Sequence, residues 1–163
     1  MDIIKLRNAL NTGSNIFELP LKVAYYARVS TGKDEQKGSL GNQIDYYEHM
    51  IRENENWTFS GGYVDEGISG TGVLTRRSFL RMIDDGKAGI FDLVITKEIS
   101  RFSRNTLDSI RYTQELLRYG VGVFFQSDNI NTLLPDSELR LTIMSGIAQD
   151  EVRKLSERVV FGI

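Results

Sequence analysis

Four short apolar runs, each trailed by a polar stretch, restrict this chain to few architectures. They are Leu21–Val29, Trp57–Val64, Phe91–Lys97 and Val121–Phe125. Their length and their Val, Ile, Leu, Tyr and Phe content suit buried strands, although Gly61-Gly62 interrupts the second. Helical patterns fill the gaps. Thr31–Gly38 reads as a polar loop, and Ser39 stands as an N-cap. Leu40, Ile44, Tyr47 and Ile51 then share one helix face. Ser78–Lys87 forms a short helix closed by Gly86 or Gly89. A further helix, with Leu107, Ile110 and Leu117 inward, ends at Gly120. Such alternation predicts an α/β fold with a mainly parallel central sheet and helices on both faces.

Both ends of the chain differ from this pattern. Residues 1–20 show weak periodicity and read as a partly ordered N-terminal extension ending at Pro20. Residues 21–135 form the expected core, closing with a loop at Asp128–Pro135 that has room for a short strand at 129–133. From Asp136 to Ile163 one long helix is expected. Leu139, Ile143 and Ile147 form one apolar row along it. Leu141, Met144, Ala148, Val152, Leu155 and Val159 form a second row, which calls for a partner helix. The helix carries no stop signal at Gly162-Ile163. The expectation is a chain cut within a longer protein.

The chain has 163 residues and a net charge of −2, so any nucleic acid must be met through a local basic patch or gripped by other parts of a longer protein. Arg76, Arg77 and Arg81 form one such group, and Lys97, Arg101 and Arg104 another. The lack of cysteine excludes disulfides, thiolate catalysis and Cys-based zinc sites. No apolar run approaches the roughly 20 residues of a membrane span, and the N-terminus is too polar for a signal peptide. A cytoplasmic location is expected.

In a parallel sheet, ligands bind at the strands' carboxyl ends, and three strand-end segments here carry similar groups. The first supplies Arg28 and Ser30. The second supplies Asp65, Ser69 and Arg76, and the third Lys97, Arg101 and Arg104. Alone, Ser30 is more simply a turn residue. Beside several guanidinium groups it becomes a candidate nucleophile for a phosphodiester, whose transition state spreads negative charge that arginine meets with forked hydrogen bonds. The sole histidine, His49, lies off the apolar row and is expected to face solvent. There is no G-x-S-x-G elbow, so a Ser-His-Asp hydrolase is not expected. Two alternatives stand beside attack on a phosphodiester by a serine. One is a metal-dependent nuclease using Asp34, Glu35, Asp65 and Glu66. The other is a non-catalytic oligomerisation module built on the last helix.

From about Lys22 onward, the motifs together resemble the catalytic domain of the serine recombinases, the resolvase/invertase family. They are Tyr26-Ala27-Arg28-Val29-Ser30-Thr31, Ser39-Leu40 with Gln43, Asp65-Glu66-Gly67-Ile68-Ser69-Gly70, Arg76 ahead of Phe79-Leu80-Arg81-Met82-Ile83, Ser100-Arg101-Phe102-Ser103-Arg104-Asn105-Thr106, and Gly146–Glu151 with Ser156-Glu157-Arg158. Extra residues around Asp34–Gly38 and Thr71–Leu74 make the chain most similar to the large serine integrases and conjugative-transposon recombinases.

The resemblance implies that Ser30 attacks DNA and forms a 5′-phosphoserine link. It implies that Arg28, Arg101 and Arg104 line the phosphate, and that Ser69 and Arg76 complete the site. Gln43 would support the first loop, Asp65 would order the second, and Tyr26 would pack or hydrogen-bond near the nucleophile. Apart from the resemblance, Lys97 stands near enough in sequence to contact phosphate, and reads equally well as a solvated lysine. Glu151 and Arg158 would lie on a helix that makes dimer contacts and approaches DNA. No metal or other cofactor is implied. The implied partners are double-stranded DNA at specific attachment sites, a homodimer and a synaptic homotetramer. One position departs from the family pattern: Ser100 stands where an aspartate commonly precedes the first arginine. Glu98 is the nearest carboxylate that could replace it.

Overall fold

The computed structural model describes residues 3–29, 34–66, 76–97, 102, 106–134, 136, 137, 140 and 143. The strands are β1 (Leu21–Val29), β2 (Trp57–Glu66), β3 (Leu93–Thr96), β4 (Gly122–Phe125) and the short β5 (Ile130–Asn131). The helices are α1 (Ile3–Asn11), α2 (Asp34–Glu53), α3 (Arg77–Lys87) and α4 (Thr106–Arg118). The five strands form one sheet in the order β2-β1-β3-β4-β5. The first three pairings are parallel, and only β5 runs antiparallel, against β4. The expected α/β class and mainly parallel sheet are therefore observed.

Two apolar layers follow from the alternation of side chains along β1. Val23, Tyr25 and Ala27 face α1 and α2, with Tyr47, Ile51, Trp57 and Ile95 in the same layer. Ala24 and Tyr26 face α3 and α4, packing with Phe79, Met82, Phe102 and Leu116. In α4 the fully buried leucine is Leu116, whereas Leu117, expected inward, is only partly covered.

Gly61-Gly62 does not break β2. The register shifts by one residue there, so that Val23 pairs with Phe59 but Ala24 with Gly61. Gly61 takes φ +145°, which suits glycine at such a bulge, and a Cβ on Gly62 would lie 2.5 Å from the Tyr25 ring. Because side chains alternate, the extra residue turns Tyr63 and Asp65 to the same face as Tyr26. Past the bulge, Arg28 is paired with Asp65 and Val29 with Glu66.

Two expectations about helix starts need correction. α2 begins at Asp34, ahead of the expected cap at Ser39. Asp34-Glu35-Gln36-Lys37 is a helix-compatible run whose acidic residues favour a helix N-terminus, and one glycine at 38 does not outweigh it. The first 20 residues are also more ordered than their periodicity implies. Leu6 and Ile16 are buried in the α2-side layer. Backbone at Ile16 and Phe17 is tied down: the Trp57 indole N–H donates to the Ile16 carbonyl at 3.0 Å, and Asn54 donates to that of Phe17 at 3.0 Å. The Arg7 guanidinium donates to the Leu133 carbonyl. Most of residues 136–163 lie outside the described residues. Ser137, Arg140 and Ile143 are helical, and Ile143 is 52% exposed.

Candidate active site

The order β2-β1-β3 sets three carboxyl ends side by side with β1 in the middle. These ends lead into the segments that carry the predicted chemistry. Ser30, Ser69, Ser100, Arg101, Arg104 and Glu151 lie outside the described residues, as does Glu98. The described members are Tyr26, Arg28, Gln43, Asp65, Arg76 and Lys97, and the structure divides them between the two faces of the sheet.

Tyr26, Asp65 and Arg76 form one connected assembly. The Tyr26 hydroxyl donates to Asp65 Oδ2 at 2.8 Å. Asp65, only 2% exposed, also accepts the backbone N–H of Ser78 on Oδ1 and that of Phe79 on Oδ2, both at 3.0 Å. These are first-turn donors of α3, which have no partner within the helix itself. Arg76, at the N-cap position, makes no side-chain cap bond. A carboxylate from the neighbouring strand therefore caps α3, and its charge suits a helix N-terminus. Asp65 thus fastens β1, β2 and the start of α3 together. The second loop that it was expected to order, 67–75, lies outside the described residues; its described partners are the Tyr26 hydroxyl and α3.

The Tyr26 hydroxyl is held well above the usual tyrosine range, first by burial, then by its bond to Asp65 and that carboxylate's charge. The positive charges of Arg76 and Arg28 act in the opposite direction. Tyr26 is thus a fixed, neutral donor. Arg76 lies with its guanidinium carbon 3.9 Å from the Phe79 ring centre, and its Nη2 donates to the Phe102 carbonyl at 2.9 Å. Its Nη1 is buried with no hydrogen-bond partner among the described residues. Phe102 stands between Arg101 and Arg104, so this bond ties the third motif to the second.

Gln43 and Lys97 lie elsewhere. Both line an open groove of about 750 Å³ between α2 and the ends of β3 and β4. Phe17, Tyr46, Phe124 and Gln126 also line it. His49 is solvent-facing as expected, its side chain 75% exposed and 3.4 Å from Glu53. The metal-nuclease alternative meets a direct obstacle. Asp65 is 2% exposed and already spends three hydrogen bonds on Tyr26 and α3, and no group of three or more His, Cys, Asp or Glu among the described residues is arranged to hold a metal ion.

Sequence reasoning missed Phe79 and Phe102 as parts of the site. Nothing in the sequence marked them, because both read as ordinary apolar core.

The sheet order and the strand-end assembly define a resolvase-like α/β catalytic domain. The chain belongs to the resolvase family: residues 23–163 match Resolvase, N terminal domain. It is 32% identical over 143 residues to the Transposon Tn3 resolvase of Escherichia coli, covering 85% of this chain and 68% of that protein. A putative DNA recombinase of Bacillus subtilis (strain 168) is 27% identical over 141 residues, and there the match covers only 27% of the longer protein.

Among solved structures, a resolvase family site-specific recombinase from Streptococcus pneumoniae is similar with a TM-score of 0.69 and 29% identity, covering 87% of this chain and 95% of that one. The N-terminal catalytic domain of TP901-1 integrase is similar with a TM-score of 0.56 and 31% identity, covering 82% and 98%. The chain is thus the catalytic domain of a site-specific recombinase, and neither the nuclease nor the non-catalytic alternative is supported. Recombination on DNA and oligomerisation follow at the level of the family. No helix among the described residues is long and apolar enough to cross a membrane.

Proposed function

We propose that Ser30 is the nucleophile of this recombinase and that the arginines at the sheet's carboxyl edge hold the scissile phosphate. In this reading the Ser30 Oγ attacks phosphorus and the bond to the 3′ oxygen breaks. The serine loses its proton, and the departing oxygen takes one up as a 3′-hydroxyl. The protein is left joined to the 5′ phosphate. The bond energy stays in the phosphoserine ester, so the reverse attack by a 3′-hydroxyl rejoins DNA without an added energy source. Arg28, Arg101, Arg104 and Arg76 neutralise charge on the non-bridging oxygens, and Ser69 completes the site.

The observation that carries this reading is the Tyr26–Asp65–α3 assembly. It fixes β1 two residues before Arg28, and fixes the start of α3 at Arg76. The Arg76 Nη1, buried and without a hydrogen-bond partner among the described residues, has a bond still to offer a phosphate oxygen. Gln43 and Lys97, on the groove side, support the first and third strand-end segments from the opposite face of the sheet. Glu151 belongs to the helix through which two copies pair. The family resemblance implies the wider cycle: a homodimer would bind each attachment site, two dimers would form a synaptic homotetramer, and exchange would precede rejoining. A DNA substrate places this work in the cytoplasm.

The test is Ser30→Ala on a nicked DNA substrate that traps cleaved product. The expected result is a folded protein that forms no covalent protein–DNA adduct. Adduct formation by the variant would refute the assignment.

A further inference from the structure

The geometry points to Phe79 as a positioning residue that aims the Arg76 guanidinium at the reacting phosphate. This deepens the site reading above and rests on Arg76 acting at that phosphate. Phe79 is fully buried and touches every described part of the assembly. Its ring meets those of Tyr26 at 5.4 Å, Phe102 at 5.0 Å and Tyr112 at 4.9 Å, each edge to face. Its backbone N–H is held by Asp65. The Arg76 guanidinium carbon lies 3.9 Å from its ring centre, within cation–π range.

A guanidinium on a four-bond stem has many rotamers, and ordering them is costly unless contacts select one. Here the Phe79 ring supports one side, and the Phe102 carbonyl takes Nη2. Nη1 has no hydrogen-bond partner among the described residues, which leaves it the nitrogen with a bond to give to an oxygen that reaches it. Phe79 touches no reacting atom in this scheme. It acts through Arg76, and its own orientation is fixed by three rings and Asp65.

The experiment compares Phe79→Leu, Arg76→Ala, the double variant and Arg76→Lys in the intact protein. Two quantities are read on a nicked DNA substrate: DNA affinity, and the single-turnover rate of adduct formation at saturating protein. Phe79→Leu should slow the chemical step roughly three- to thirty-fold, the range a cation–π contact supplies, with DNA affinity unchanged. In the Arg76→Ala background it should slow the step no further. Equal slowing in both backgrounds would mean that Phe79 acts only as core packing, and would overturn the inference.

Arg76→Lys probes the same contact without touching the core, because it keeps the charge but loses the flat face and the fork. It should be nearly as slow as Arg76→Ala, and parent-like cleavage by it would also overturn the inference. Parent-like cleavage by Arg76→Ala would instead refute the role of Arg76 itself, which separates failure of the site reading from failure of this one.

Discussion

The Tyr26 hydroxyl has one described partner, and that partner is a buried carboxylate shared with a helix end. Tyr26→Phe leaves Asp65 with two backbone donors and one unfilled acceptor position. Losing a hydrogen bond to a buried charged group costs about 1.5–3 kcal/mol. The expected outcome is a drop of that size in unfolding free energy by urea titration, with adduct formation slowed but not abolished. Unchanged stability would mean that the Tyr26–Asp65 bond contributes nothing net.

Tyr26, Arg28 and Arg76 were legible as site residues because their types and order match a reactive pattern. The task of Asp65 was not legible. It depends on a one-residue bulge at Ser60-Gly61 that turns Asp65 toward α3, and nothing local in the sequence announces that shift. Phe79 and Phe102 read as ordinary core for a similar reason: an apolar side chain declares burial but not the cation it supports.

At the scale of elements, the segment before Pro20 is the largest surprise. Helix α1 is short and weakly patterned, with one fully buried side chain, Leu6. Its stability comes from the sheet it covers, and isolated helices of this length are marginal. The segment also lies ahead of the family match, which begins at residue 23. Deleting residues 1–19 would uncover apolar surface around Leu21, Trp57 and Leu133 and remove the acceptors of Trp57 and Asn54. The prediction is a lower melting temperature by several degrees and new binding of a hydrophobic dye, with recombinase chemistry retained where the domain remains folded. An unchanged melting temperature would mean that the segment is a passive tail. The strands, by contrast, were legible to within two residues at each end, because apolar runs bounded by polar loops leave little choice. The start of α2 was not, because Gly38 and the polar run before Ser39 look like a loop until the helix behind them is in place.

For the whole molecule, three buried tyrosines, of which Tyr26 belongs to the site assembly, make stability depend on pH on the alkaline side. Burial, together with a carboxylate partner in each case, raises the hydroxyls of Tyr25, Tyr26 and Tyr63; Tyr25 is pushed from 10.0 up to about 12, and the other two go higher. In the unfolded chain these groups ionise near 10, so between about 10 and 12 the folded state holds more protons than the unfolded one. Stability contributed by these groups is fully present below 10 and is lost as pH rises through the folded values. Unfolding free energy measured between pH 8 and 12 should stay level with respect to these groups up to about 10 and then fall. Tyr63→Phe should make that fall shallower. A flat profile to pH 12 would contradict the buried tyrosine network.

The overall arrangement assigns work by face. Tyr26, Asp65 and Arg76 with its aromatic support lie on the α3 side, while Gln43 and Lys97 line the groove on the α2 side. The strand ends meet between them. The central claim, that this edge delivers Ser30 to a phosphodiester, is tested most directly by digesting the trapped protein–DNA adduct and sequencing the DNA-linked peptide by mass spectrometry. The account predicts a single peptide spanning Ser30, joined through its hydroxyl to a 5′ phosphate. A link at Ser69, at a tyrosine or to a 3′ phosphate would contradict it.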